Sequence, residues 1–199
     1  MRLSRALLAL LGGCFIAAAT ASDDWPSYGL DAGNQRFSTL ADIDTGNVTQ
    51  LAPAWIFQTG VLGTFPTNPL VVNGVMYLTT PMNHVIALDA ATGRELWRYT
   101  HRMAAEQLCC GTHNRGLAIS GGKLFMITAD ARLLALDAAT GKTLWDVPVV
   151  DPMSGDEADL EALRHYDPAQ HEAFDRATRF AGNMAPVVHD GKVFVGVSG

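Results

Sequence analysis

Short apolar runs separated by turn residues form the main pattern along this chain. Val75–Thr79 follows Asn73-Gly74, and a second run, Val85–Leu88, comes a few residues later. Short runs of β-branched and large apolar residues with Gly and Asn between them predict strands joined as hairpins. The same pattern recurs at 123–128 and 133–136 and begins again at 186–195. We therefore predict an all-β fold of antiparallel strands.

A turn followed by a tryptophan repeats at an offset of 48 residues, the difference between positions 87 and 135. Ala87-Leu-Asp-Ala-Ala-Thr-Gly93 precedes Trp97, and the identical segment Ala135–Gly141 precedes Trp145. Asp and Thr side chains cap a turn of this kind, and Gly takes its position of positive φ. A Trp after such a turn is large enough to fill the gap between two neighbouring units.

The spacing of the repeats predicts the architecture. Units of about 45 residues with four short strands are typical of β-propeller blades, and a propeller closes with roughly four to eight of them. The chain holds two such units, part of a third and an N-terminal run, so we expect residues 22–199 to form an incomplete propeller domain. Residues 151–180 interrupt the period. Within them Asp151–Arg176 is rich in acidic residues, which predicts a helical or irregular surface insertion.

The first residues have the pattern of an export signal. Arg2 and Arg5 precede the uncharged apolar stretch Ala6–Ala19, and Ala19-Thr20-Ala21 is a small-residue cleavage site. We predict that residues 1–21 form a cleaved signal peptide, which places the mature chain in an oxidising compartment such as the periplasm. The net charge of −6, with no basic run after residue 5, disfavours nucleic acid as a partner.

Two adjacent cysteines are the first candidate for chemistry. Cys109 and Cys110 are the only cysteines after the predicted signal peptide. Neighbouring Cα atoms lie about 3.8 Å apart, closer than the roughly 4.4–6.8 Å of an ordinary disulfide. The pair is therefore either a strained bridge, of the kind found at functional sites, or two free thiols. Arg115 close by suits an anionic ligand or a surface ion pair, and we expect His113 mainly to pack in the loop.

The run Cys109-Cys-Gly-Thr-His-Asn-Arg-Gly-Leu-Ala118 resembles the signature of the alcohol and methanol dehydrogenases that depend on pyrroloquinoline quinone (PQQ). The segments 24–29, 34–38 and 51–55 and the two turn-tryptophan repeats are also similar to that family. The resemblance implies a propeller of about eight blades. It implies that Cys109 and Cys110 form a disulfide against one face of the quinone and that Arg115 contacts the quinone oxygens.

The resemblance extends to three further positions. Ser198 and Gly199 match residues that lie against a carboxylate of the quinone, and Asn183 stands where the family usually has a hydrogen-bonding Thr. One position departs from the family pattern, because Pro66 stands where a Glu is expected to contact the cofactor. Proline offers neither a side-chain acceptor nor an N–H, so Thr67 or Asn68 would have to compensate.

The function that the resemblance implies is PQQ-dependent oxidation of a small alcohol in the periplasm, by a protein that is either free or attached at the inner membrane. Cytochrome c or a membrane quinone would accept the electrons. The family's Ca²⁺ or lanthanide ligands and its Asp base would lie beyond Gly199, so residues 1–199 alone would be inactive. Two alternatives stay open. One is a non-catalytic propeller scaffold of the outer-membrane assembly type, and the other is a PQQ-dependent sugar or polyol dehydrogenase.

Overall fold

The computed structural model describes residues 24–103, 111–149 and 181–197. Several predictions concern residues outside these ranges: the signal peptide at 1–21, the insertion at 151–180, and the cofactor contacts of Cys109, Cys110, Ser198 and Gly199. The predicted disulfide and the predicted cleavage site therefore stay predictions.

The described chain is built from two four-stranded antiparallel sheets and a further hairpin. The first blade contains β1 (Leu70–Val72), β2 (Val75–Thr79), β3 (Val85–Asp89) and β4 (Glu95–Tyr99). The second contains β5 (Ala118–Ser120), β6 (Lys123–Ile127), β7 (Arg132–Asp137) and β8 (Thr143–Pro148). The hairpin pairs β9 (Val187–His189) with β10 (Lys192–Phe194).

This architecture confirms the all-β propeller prediction, with two blades and the start of a third. The only helical elements of the described residues are two short 3₁₀ turns, Val48–Gln50 and Pro81–Asn83. In the same part of the chain, no helix has the length and apolar character needed to span a membrane.

The two blades share one strand register, as the repeat in the sequence predicts. Ala87 pairs with Trp97 in the first blade, and Ala135 pairs with Trp145 in the second. The register then shifts after each of these alanines, between β3 and β4 and between β7 and β8. Equal sequences therefore give equal blades down to the position of the bulge.

The main core lies between the two blades, whose sheets stack face to face. Leu70, Val85 and Ala87 of the first blade belong to the same buried cluster as Leu124 and Leu134 of the second. The middle strands are apolar on both faces, as in β3, where Val85, Ile86, Ala87 and Leu88 are all buried. Each sheet therefore has two faces to cover, and the second blade covers one face of the first. Burial of apolar surface between blades, rather than within one, holds the described blades together.

A tryptophan joins each blade to the next. Trp97 on β4 donates from Nε1 to the Ala138 carbonyl, 3.1 Å away, and its ring lies against Gly141. Trp55 makes the same contact one blade earlier, with Nε1 3.1 Å from the Ala90 oxygen and its ring against Gly93. The prediction that the tryptophans fill the gaps between blades is confirmed for Trp97, and Trp55 extends it to the N-terminal run.

The turn that receives the tryptophan is held by its own side chains. Asp137 Oδ1 accepts from the Thr140 backbone N–H at 2.8 Å and from the Thr140 hydroxyl at 2.7 Å. These hydrogen bonds, the hydroxyl's first, hold the pKa of the Asp137 carboxyl below its ordinary value. Gly141 completes the turn at a φ of 71°. The turn is therefore rigid before the tryptophan packs on it.

Replacing Gly141 with Ala should destabilise the protein more than the same change at Gly122. Both glycines have positive φ, 71° and 73°, so both variants carry a left-handed backbone cost of about 1 kcal/mol. An added Cβ at Gly141 would lie 2.5 Å from the Trp97 ring, whereas nothing lies within 4 Å of one at Gly122. We expect Gly141→Ala to cost roughly 1 to 3 kcal/mol more, measured by urea unfolding of the complete protein. Equal losses would contradict the docking contact.

Candidate functional site

Three chain segments meet at one rim of the blades, each leading towards the first strand of its sheet. The Asn68 N–H donates to the Arg115 carbonyl at 3.0 Å, and the Arg115 N–H donates to the Asn183 carbonyl at 2.9 Å. Asn68 also pairs with Gly116 in a parallel bridge. These lateral hydrogen bonds connect the segments before β1, β5 and β9. They bring residues far apart in sequence into one row.

Gly116 lets two of these segments come so close. Its φ is 136°, and an added Cβ would lie 3.0 Å from the Asn68 carbonyl oxygen. A side chain here would therefore push the first two segments apart and carry backbone strain as well. The close approach of Asn68 therefore explains why the Asn114-Arg115-Gly116 motif has glycine at its third position.

Asn114 is the buried polar centre beneath the rim. Its side chain is 1% exposed, and its Nδ2 donates to the Asn83 side-chain oxygen at 3.0 Å and to the Ile127 carbonyl at 2.9 Å. Its Oδ1 accepts from the Gly116 N–H at 2.9 Å. Because these hydrogen bonds engage both ends of the amide, Asn114 fixes the backbone on either side of Arg115 and has no side-chain group left over for a ligand.

The turn between β2 and β3 supports this arrangement from below. Asn83 has a positive φ of 59°, and its Oδ1 accepts from the Ala129 N–H at 3.3 Å as well as from Asn114. The neighbouring Met82 N–H donates to the Thr112 carbonyl at 2.9 Å. The role of Asn83 is not evident from the sequence, because an Asn in a turn is common and no local pattern distinguishes a buried Asn from an exposed one.

Arg115 presents an exposed guanidinium at this rim. Its Nη1 donates to Asn183 Oδ1 at 2.8 Å. Among the described residues no carboxylate lies within ion-pair distance of it. A guanidinium has five N–H donors and no acceptor, so Arg115 has donors left for an anionic ligand. The surface ion pair considered as an alternative is not found in the described part of the chain.

The structure brings Arg115 together with Asn183. It also places His113 beside them, with Nε2 3.0 Å from Asn183 Nδ2. His113 therefore makes a polar contact with the neighbouring segment in addition to packing in its loop. The hydrogen bond joins two segments 70 residues apart, which no local pattern in the sequence indicates.

The neighbourhood of Pro66 distinguishes the two residues proposed to replace the missing Glu. The Thr67 hydroxyl lies 2.8 Å from the Thr79 hydroxyl and accepts from the Thr79 N–H at 3.1 Å, so it is already engaged within the first blade. Asn68 instead lies beside Arg115, with Nδ2 3.4 Å from the Arg115 carbonyl oxygen. Asn68 is the better placed of the two to face a ligand of Arg115.

A buried ionisable pair lies nearby and was not found from the sequence. His101 Nε2 lies 3.0 Å from Asp130 Oδ1, with the two side chains 3% and 0% exposed. The Tyr99 hydroxyl is 3.2 Å from His101 Nδ1, and His84 Nδ1 accepts from the His101 N–H at 3.1 Å. The pair ties the chain leaving β4 to the turn between β6 and β7. It is a further polar connection between the blades.

The described residues contain no group of three or more His, Cys, Asp or Glu side chains that is arranged to hold a metal ion. This observation covers residues 24–103, 111–149 and 181–197 and no others. The metal ligands that the resemblance implies were predicted beyond Gly199.

The structure is that of a β-propeller, because its four-stranded blades are joined by docked tryptophans. A row of polar residues that includes Arg115 lies before the first strands of the sheets, and it forms a candidate ligand site at one rim. The chain belongs to the family described as PQQ, glucose/ethanol/alcohol dehydrogenase, beta-propeller domain, whose sequence profile matches residues 25–197.

Individual relatives agree with this family. The quinohemoprotein alcohol dehydrogenase ADH IIB of Pseudomonas putida is 41% identical over 126 residues, which is 60% of this chain and 18% of that protein. The 1-butanol dehydrogenase (cytochrome c) of Thauera butanivorans is 37% identical over 59% of this chain and 18% of its own length.

A solved structure shows the same likeness in three dimensions. The crystal structure of quinohemoprotein alcohol dehydrogenase from Comamonas testosteroni matches with a TM-score of 0.72 and 31% identity, over 92% of this chain and 24% of that one. The chain thus spans less than a quarter of the length of these relatives.

Acidification should weaken the fold partly through His84. The pKa of His84 lies below its ordinary value of 6.5, mainly because burial disfavours the charged ring. The charges of His101 and Arg98 lower this pKa further. Below about pH 6.5 the unfolded state therefore binds the proton more readily than the folded state, and stability falls as the pH drops towards the folded pKa. We expect His84→Gln, which keeps an acceptor for the His101 N–H, to lose less stability than wild type between about pH 8 and pH 5.

Thermal unfolding across this pH range measures the effect. His189→Gln is the matched control, because the His189 side chain is 77% exposed. A pH dependence of His84→Gln equal to that of wild type would contradict the assignment to His84.

Proposed function

We propose that this chain is the N-terminal part of a PQQ-dependent alcohol dehydrogenase, in which it forms one side of the cofactor site. The observation that carries the proposal is the exposed guanidinium of Arg115. It has no carboxylate partner among the described residues, and the Asn183 carboxamide holds it where the segments of three blades meet.

The chemistry of the rim fits the cofactor. PQQ is a planar tricarboxylate with two quinone oxygens, so its site needs a cation and neutral hydrogen-bonding groups. Arg115 supplies the charge, and the carboxamides of Asn68 and Asn183 on either side of it supply neutral polar groups. When bound, PQQ supplies a two-electron acceptor for the alcohol.

The chain's own contribution is to bind and orient the cofactor. Asn114 and Gly116 fix the backbone of Arg115, so the guanidinium is aimed before a ligand arrives. Such preorganisation means that the Arg side chain loses less freedom on binding. Cys109 and Cys110 precede this segment, and we propose that their disulfide forms a wall of the site, with Ser198 and Gly199 contributing at another edge.

The remaining parts of the enzyme are proposals from the family and the named relatives. We propose a small primary alcohol as substrate, in line with the alcohol and 1-butanol dehydrogenases that the chain resembles. We favour a cytochrome c as the electron acceptor, in line with the name of the Thauera 1-butanol dehydrogenase (cytochrome c), and a membrane quinone is the other candidate. Ca²⁺ or a lanthanide, the Asp base and the periplasmic location complete the proposal.

A non-catalytic propeller scaffold is the rival from another class. It would share the tryptophan docking but would have no use for Cys109 and Cys110 or for Arg115. A sugar or polyol dehydrogenase with the same cofactor would keep Arg115 and differ in its substrate, and Pro66 in place of Glu keeps that reading open. Cofactor binding separates the scaffold from both enzymes, and a substrate series separates the enzymes.

The complete protein should bind PQQ and, with Ca²⁺ or a lanthanide, reduce an artificial dye in the presence of short alcohols. We expect Arg115→Ala to weaken PQQ binding by roughly tenfold or more, because a charge-assisted hydrogen bond is lost, with Arg115→Lys in between. Calorimetric titration with PQQ measures this. Arg94→Ala, an exposed arginine in the turn between β3 and β4, is the control and should bind normally. No PQQ binding by wild type would favour the scaffold.

Cys109 and Cys110 should be linked to each other in the mature protein. The oxidising compartment predicted from the N-terminal segment does not favour two neighbouring free thiols, and residues 22–199 contain no other cysteine. Mass spectrometry of the unreduced peptide should find it lighter by its two thiol hydrogens. Protein purified without reductant in which both thiols react with an alkylating agent would overturn this prediction.

A further inference from the structure

Three side chains at the rim form a continuous hydrogen-bonded row. Arg115 Nη1 lies 2.8 Å from Asn183 Oδ1, and Asn183 Nδ2 lies 3.0 Å from His113 Nε2. The Asn183 carboxamide thus connects a guanidinium on one side with an imidazole on the other. Arg115 and His113 belong to the same segment, while Asn183 comes from the next one.

The donors and acceptors in this row determine its protonation. A guanidinium only donates, so the carbonyl oxygen of Asn183 must face Arg115. The amide nitrogen then faces His113 and has only N–H groups to offer. His113 Nε2 must accept, which requires a neutral ring with its proton on Nδ1. An imidazolium would point an N–H at the amide N–H groups and break the row.

The ring of His113 is held in place from its own segment. A Cβ added at Gly111 would lie 3.5 Å from His113 Nδ1, so the ring sits against the Gly111 backbone. The Thr112 carbonyl accepts from the Met82 N–H, and Asn114 on the other side is buried. The residues on both sides of His113 in the sequence are therefore held in place, so His113 can hold the Asn183 carboxamide that it contacts.

We propose that His113 is a positioning residue of the cofactor site. In its neutral form with the proton on Nδ1, it fixes the orientation of the Asn183 carboxamide, which in turn aims the Arg115 guanidinium at an anionic cofactor. The link to PQQ rests on the proposed function. The tautomer itself rests on the hydrogen bonds alone.

The first test reads the tautomer without any cofactor. In the complete protein labelled with ¹⁵N-histidine, solid-state NMR distinguishes a protonated Nδ1 from a protonated Nε2, and the His113→Gln spectrum identifies the His113 signal. We expect the tautomer with the proton on Nδ1 and a bare Nε2. A proton on Nε2 overturns the inference whether or not the protein binds PQQ.

The second test reads affinity for PQQ by calorimetric titration. His113→Leu cannot accept from Asn183 Nδ2, and we expect PQQ binding to weaken by roughly five- to tenfold, the size of one neutral hydrogen bond. His113→Gln offers a carbonyl oxygen as acceptor and should restore most of the affinity. Failure of Gln to restore binding, in a variant with wild-type thermal stability, argues against the positioning role.

A double-mutant cycle shows whether His113 acts through Asn183. In an Asn183→Ala background, His113→Leu should change PQQ affinity by less than about twofold, because the connection is already broken. An undiminished effect of His113→Leu in that background overturns the inference. A wild-type protein with the expected tautomer that binds no PQQ would instead overturn the proposed function, and with it the role of His113 towards the cofactor.

Discussion

The rest of the structure depends on the docking of a tryptophan ring on a glycine turn of the next blade. Trp97 packs on Gly141 while its indole N–H holds the Ala138 carbonyl, and Trp55 repeats both contacts one blade earlier. The flat ring and the directed hydrogen bond together fix the distance and the rotation between neighbouring sheets. A purely apolar contact would fix neither, because hydrophobic burial has no direction.

Once the rotation between blades is fixed, the segments before β1, β5 and β9 lie side by side, and the residues of the candidate site come together. Asn68, Arg115 and Asn183 are 115 residues apart at their extremes, yet lateral backbone hydrogen bonds set them in one row. An isolated blade would carry at most one of these three residues in place. The stacking of the blades therefore sets the position of the Arg115 charge, and the side chains around Arg115 set the direction in which its guanidinium points.

Much of the fold follows from local patterns in the sequence, and much less of the site does. Repeated turns with Asp, Thr and Gly predicted the blades, since each hairpin forms from residues close in sequence. The docking of Trp97 on the next blade was predicted because the turn and the tryptophan recur together in both repeats. Arg115 and Asn183 came from a resemblance to a family. The buried pair of His101 and Asp130 and the bond from His113 to Asn183 join distant segments, and neither spacing nor composition indicates which polar residues will meet across a gap.

Because the row at the rim is built from three segments, binding of a ligand there and assembly of the propeller are thermodynamically linked. A molecule that touches Asn68, Arg115 and Asn183 together recognises only the arrangement in which their three segments are in register. Its binding free energy therefore adds to the free energy that keeps the blades associated. Where the ligand is scarce, less free energy would oppose separation of the blades at the rim. The supply of ligand would then determine how much of the protein survives proteolysis as well as how much is active.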